Sequence, residues 1–251
     1  MKLKRRNVIA GIGSLGAGLI LTGCGNANKP SSAEKAETSA KEDEKAKGTS
    51  LEVTATEDLM REHGVLRRAL FVYSETAIKL RGNASSVMPD ALQKTATLFR
   101  AFGEDYHEKK LEEAYIFPAV KNAGGQAASL PDILVTQHER GREITEYILG
   151  VTRGAKLGVS NAEPLAKAME SLVRMYRAHA AREDTIIFPA WKQTLTAEQF
   201  DEMNDKFEEI EHQQFGEDGF EDAVRQMNDI EGNLGLADLA LFTAPPPTPV
   251  K

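Results

Sequence analysis

The sequence predicts an all-α protein: an up-and-down four-helix bundle followed by two further helices. Three observations carry this. From residue 54 to about 240 the apolar residues recur in alternating steps of three and four, and no stretch alternates in the manner of a strand. Four of the periodic segments are long, and the loops between them are short and rich in Gly and Pro. Each long segment keeps one apolar stripe, as helices around a shared core require.

The first helix begins near Thr54 or Thr56, with Glu57 and Asp58 in the turn where the helix dipole favours acids, and ends near Gly82. Its stripe is Leu59, His63, Leu66, Leu70, Tyr73, Ala77 and Leu80. The second opens after "SSVMPD", with Pro89 in its first turn, and runs to Pro118, beyond which "NAGG" breaks the chain. Leu92, Ala96, Phe99, Gly103 and His107 share one face. The third opens at "LPD" and carries Leu134, His138, Thr145 and Ile148 before Gly154. The fourth opens at "NAEP", with Asn161 as N-cap and Pro164 in the first turn, and presents Leu165, Leu172, Tyr176, His179, Glu183 and Ile187. Thr196 and Gln199 then have capping-box spacing ahead of a stripe of Phe200, Met203, Phe207 and Ile210, and a last short helix follows "GEDG".

The domain boundaries follow from composition. Residues 1–23 combine the basic "MKLKRR" with a Gly-rich apolar stretch too short and too punctuated for a comfortable membrane span, which reads as a secretory signal. Leu21-Thr22-Gly23-Cys24 resembles the lipobox of bacterial lipoproteins, which implies lipidation of Cys24 after cleavage. Residues 24–50 are Ala, Lys, Glu, Ser, Asn and Gly with scarcely an apolar side chain, and read as a flexible tether. The helical domain spans 51–242, and the Pro-rich tail 243–251 lies outside it. These features predict a chain anchored by lipid at the cell envelope, on the periplasmic or outer-membrane face. Gly25, not aspartate, follows Cys24, which leaves an outer-membrane destination open.

Charge and cysteine count exclude several function classes. The chain has a net charge of −7, and cleavage before Cys24 removes four basic groups and no acid, leaving −11. Such a surface argues against a nucleic-acid partner. Cys24 is the sole cysteine, so disulfides and thiolate metal sites are excluded within one mature chain. No nucleophilic triad, phosphate loop or Cys-His zinc pattern occurs.

What remains is a constellation of histidines and acids. Four of the five histidines, His63, His107, His138 and His179, fall one per helix on the inward stripes. One such histidine is easily satisfied by hydrogen bonds, but burying four together calls for a shared purpose, and a metal uses the neutral ring directly. The chain also says nearly the same thing twice: "HEKKLEEAYIFPA" at 107–119 and "HAAREDTIIFPA" at 179–190. In a straight helix the fourth residue on is offset by about 40° and the fifth by about 140°, so Glu183 shares a face with His179 whereas Glu112 does not share one with His107. Aligning the copies on Phe-Pro-Ala pairs Glu112 with Glu183 and Glu113 with Asp184. A single π-bulge between His107 and Glu112 would restore the shared face. Nitrogen and carboxylate ligands without thiolate suit iron, manganese or zinc, and two bridging carboxylates with terminal histidines point to a two-metal site.

These residues, in the order H, H with E and "FP", H, H with E and "FP" over residues 55–195, resemble the hemerythrin-like (HHE cation-binding) domains. The segment "FEEIEHQQFGEDGFED" is similar to one that follows this domain in some bacterial members. The resemblance implies a hemerythrin-like bundle and a non-haem di-iron centre, with His63, His107, His138 and His179 as terminal ligands and Glu112 and Glu183 bridging. Two features depart from the oxygen carriers. Leu134 and Arg142 stand where a second third-helix histidine would be, which leaves a coordination position open. An aspartate five residues after the fourth-helix histidine would select Asp184 in place of Glu183.

His212 lies about 200° from the apolar stripe of its helix and is expected at the surface. "EDYH" and "EIEH" also have the Glu-x-x-His spacing of ferritin-like di-iron bundles, a reading that leaves His63, His138 and His179 unused. Three functions share the six candidate ligands: binding or sensing of O2, NO or a similar small molecule; a di-iron oxidase or peroxide scavenger; and simple iron binding or storage.

Overall fold

The computed structural model describes residues 53–154, 156–216 and 218–248. The leader, Cys24, the tether and residues 249–251 lie outside the described residues. Within them the chain is helical, with no strand. Helix α1 (Ala55–Asn83) starts where expected: the Thr54 hydroxyl accepts from the Glu57 N–H, and Glu57 and Asp58 occupy the first turn. Every residue of its expected stripe, His63 included, is buried.

The second helical run has three parts: α2 (Pro89–Leu98), a π-helical stretch (Phe99–Ile116) and α3 (Phe117–Ala123). The wide turns thus extend far beyond the single bulge expected at 107–112. The run also passes through Pro118, where the sequence predicts a stop. A proline ring clashes with the carbonyl four residues back in a regular helix. Here the widened ladder absorbs it, since the Phe117 N–H reaches the carbonyl of Glu112, five residues back.

After α4 (Pro131–Val151), helix α5 (Val159–Arg182) begins before the expected cap at Asn161, on the extended backbone of Gly158, so Pro164 falls inside the helix. A second π-helical segment (Glu183–Ile187) and α6 (Phe188–Gln193) continue past Pro189 in the same way, with the Phe188 N–H on the carbonyl of Glu183. Helix α7 (Ala197–Phe215) has both bonds of the capping box between Thr196 and Gln199. Helix α8 (Gly219–Leu234) runs longer than the short helix expected.

Helix α1 packs chiefly on α5, and α4 packs on α5 and on the π-helical stretch after α2, so the helical runs carrying His63, His107, His138 and His179 enclose one core. The two C-terminal helices close it from outside. Trp191 of α6 stacks on Phe207 of α7 with centroids 5.5 Å apart, and Asn204 of α7 accepts from the otherwise unpaired Ala55 N–H of α1. Helix α8 lies against α1 and α2.

One close approach fixes the spacing of α4 and α5. A Cβ on Gly141 would strike the ring and hydroxyl of Tyr176, whose position is set by Phe99 at 5.2 Å and by the Glu108 carboxylate. Gly141→Ala should therefore destabilise the fold by about 1–3 kcal/mol through overpacking, despite a helix-propensity gain of about 1 kcal/mol. Denaturant unfolding monitored by circular dichroism measures it.

Candidate metal centre

The two π-helical segments determine where the acids point. With hydrogen bonds to the fifth residue, Glu112 returns to the side of His107, and its Oε1 lies 3.3 Å from His107 Nε2. On the other run Glu183 Oε1 lies 2.8 Å from His179 Nε2. Both carboxylates are fully buried, and so are His63, His107, His138 and His179.

The four imidazoles form two pairs. His63 Nε2 and His107 Nε2 are 3.0 Å apart, as are His138 Nε2 and His179 Nε2. Each glutamate divides its oxygens between the pairs. Glu112 offers Oε1 to His107 and Oε2 to His138, at 3.4 Å; Glu183 offers Oε1 to His179 and Oε2 to His63, at 3.5 Å.

Each of these four histidines is held from behind at Nδ1. His63 meets Asp184 at 2.6 Å, His107 meets Glu62 at 2.6 Å, His138 meets Glu113 at 2.8 Å and His179 meets Gln137 at 2.9 Å. With a metal at Nε2, an acceptor at Nδ1 would keep the remaining ring proton there and fix the ring's orientation, the tautomer a metal requires. Glu113 and Asp184, the acids that directly follow Glu112 and Glu183, thus meet His138 and His63 from outside the cluster. They are themselves braced by Arg142 and Arg67. Phe188 and Phe117 stack on His63 and His138 at 5.4 and 5.6 Å.

Among the described residues, all four oxygens of Glu112 and Glu183 are buried without a hydrogen bond. Burial opposes ionisation of Glu112, but His107 and His138 overcome it and hold the carboxyl well below its usual range. Burial likewise opposes charging of His107 and His138; Glu112 with Glu62 holds the first well above the usual histidine range, and Glu108 with Glu112 and Glu113 brings the second to about 10. The buried Glu112 carboxylate is therefore balanced by protons on His107 and His138, a role a cation would take over.

The residues fit such a cation. Nitrogens about 2.0–2.1 Å from one ion and at a right angle stand about 3 Å apart, as each pair does. Glu112, His138, His179 and Glu183 bring their ligand atoms together, as do His63, His107 and Glu112. Beside the cluster lies a cavity of about 10 Å³, lined by Leu66, Leu70, Ala180, Arg67, Glu108 and Tyr176 as well as by the cluster apart from His138. It has room for one water-sized molecule.

Comparison with known proteins gives the same answer from another direction. Residues 54–191 match the family described as the hemerythrin HHE cation binding domain. The chain belongs to the hemerythrin family. An uncharacterized protein of Mycobacterium bovis and two of Mycobacterium tuberculosis are each 44% identical to it over 192 residues, covering 76% of this chain and 74% of the relative. No solved structure matches the chain. Within this hemerythrin domain the position of the missing third-helix histidine is filled on one side by buried Leu134 and on the other by Arg142, which pairs with Glu108 and Glu113. His212 is exposed on α7, so the second Glu-x-x-His does not face the cluster.

Glu62 and Gln137 were not singled out by sequence. The available signal was adjacency, since each immediately precedes an inward histidine, in "EH" and "QH".

One further acid lies deeper in the hemerythrin core. Burial pushes Glu104 up to about 7 against the Thr145 hydroxyl, which donates to it at 2.6 Å. Unfolded, the group ionises near 4.5. Between these values the folded state binds more protons, so the contribution is full below about 4.5 and is lost as pH rises through about 7. Glu104→Gln should gain stability over wild type across that window, levelling above it at on the order of 2–3 kcal/mol. Melting curves of both proteins from pH 4 to 8 test this.

Proposed function

We propose that this protein is a di-iron hemerythrin-like lipoprotein that binds or senses O2, NO or a similar small ligand at the cell envelope. One observation supports this above the rest: two buried glutamates with unpaired oxygens stand between two pairs of inward Nε2 atoms. In this reading His63 and His107 would hold one ion and His138 and His179 the other, with Glu112 and Glu183 as the carboxylates shared between them. The helices that carry these ligands follow one another up and down around the centre.

Bound iron would supply redox and Lewis-acid chemistry toward a small oxygen- or nitrogen-containing ligand. The protein's part is to orient and to exclude. The Nδ1 acceptors fix each imidazole, Phe117 and Phe188 wall the rings, and Leu66, Leu70 and Ala180 line a cavity with room for one water-sized molecule. No helix among the described residues is long and apolar enough to cross a membrane. Envelope attachment in this proposal comes from lipid on Cys24, at the end of the lipobox-like Leu21-Thr22-Gly23-Cys24, with residues 24–50 as the tether.

Metal analysis of the purified chain should find two irons, with oxo-bridge absorption that changes on adding O2, NO or peroxide. A stable metal-free chain, or a single zinc, would sink the proposal. Spectra that persist with the ligand favour binding or sensing, whereas steady loss of peroxide would place the protein among di-iron oxidases. For localisation, Cys24→Ser should move the chain from the membrane fraction to the soluble fraction. Retention of the variant in membranes would refute lipid anchoring.

A further inference from the structure

A pseudo-twofold relates the two halves of the centre. It exchanges His63 with His138, His107 with His179, Glu112 with Glu183, Glu113 with Asp184, and Arg67 with Arg142. The residues behind the histidines break it. Three Nδ1 acceptors are carboxylates, but the fourth, Gln137, is a neutral amide where its counterpart is Glu62. The surroundings differ too. The bond between His107 and Glu62 is buried on both sides at 1% exposure, and Tyr106 donates to the other Glu62 oxygen at 3.0 Å. Gln137 is half-buried, and Ala178 occupies the place corresponding to Tyr106.

We propose that the two metal positions are unequal, and that Gln137 makes the His138–His179 position the weaker, the one that releases its ion first. The inference rests on the two-metal reading above. A carboxylate behind imidazole draws the Nδ1 proton toward itself and raises the basicity of Nε2; an amide oxygen does this less. Behind His179 itself no carboxylate then offsets an incoming cation, because the acids on that side, Glu113 and Glu108, stand behind His138, at 2.8 and 3.9 Å from its Nδ1. Gln137 is thus a positioning residue that sets how firmly its half of the centre holds metal.

The test uses the full chain loaded anaerobically with iron(II), its metal content measured, and then challenged with EDTA while protein-bound iron is followed. Wild type should lose one equivalent about tenfold to a hundredfold faster than the second. Gln137→Glu should slow the fast phase toward the slow one, a tightening that a merely structural role for the amide would not give. Glu62→Gln should quicken the slow phase, and His179→Ala should leave a single slow equivalent. Release of both irons in one phase from wild type, or an unchanged fast phase in Gln137→Glu, overturns the inference while leaving the two-metal reading intact. Uptake of fewer than two irons before EDTA is added overturns that reading instead.

Discussion

Two carboxylates met only by imidazole nitrogens, shut inside a helical core, are what the rest of this structure must accommodate. Removing a carboxylate from water costs several kcal/mol even after relaxation, at about that scale for each group. Nothing in the apolar surroundings of Glu112 and Glu183 repays it; only positive charge can. Around Glu112, His107 and His138 supply it as protons, and the donor set suits a metal that would supply it more completely. The outer ring of Asp184, Glu62, Glu113 and Gln137 then has a clear purpose, because imidazoles free to rotate could neither hold the protons in place nor present four nitrogens in two tight pairs.

The backbone bends to the same need. A carboxylate five residues after its histidine faces away in an α-helix, and a proline soon after it would ordinarily end the helix. Wide turns resolve both difficulties at once: they bring Glu112 round and give Pro118 room. The second run shows the widened bond at Phe188 even though His179 and Glu183 are only four apart. Phe-Pro, and not the histidine spacing, is therefore the common correlate of the wide turn at this end of each run. The upstream reach of the first stretch to Phe99 has no comparable marker in the sequence.

Much of this was legible before any coordinates. Helix existence, the buried stripes and the capping box of α7 follow from local periodicity and local hydrogen bonds, which the sequence states directly. So does the meeting of four histidines, because each sits on a stripe that must face the core. The misses arise where a neighbour in space outweighs a neighbour in sequence. Helix α5 starts on Gly158 instead of Asn161, and both Phe-Pro junctions remain helical because the surrounding core holds the widened turns. Glu62 and Gln137 looked like ordinary helix polar residues, since their partners lie on another helix more than forty positions away.

The pattern of holding contacts also says how the two halves depend on each other. Residues 55–123 supply both histidines of one pair, and residues 131–193 supply both of the other. Yet His63 leans on Asp184 and Phe188, and His138 leans on Glu113 and Phe117, each from the opposite half. The arrangement is a clasp of two interlocked hairpins. A lone hairpin of this kind would carry two histidines and a glutamate but lack a wall and an acceptor for one ring, and it could complete a centre only by embracing a second copy of itself.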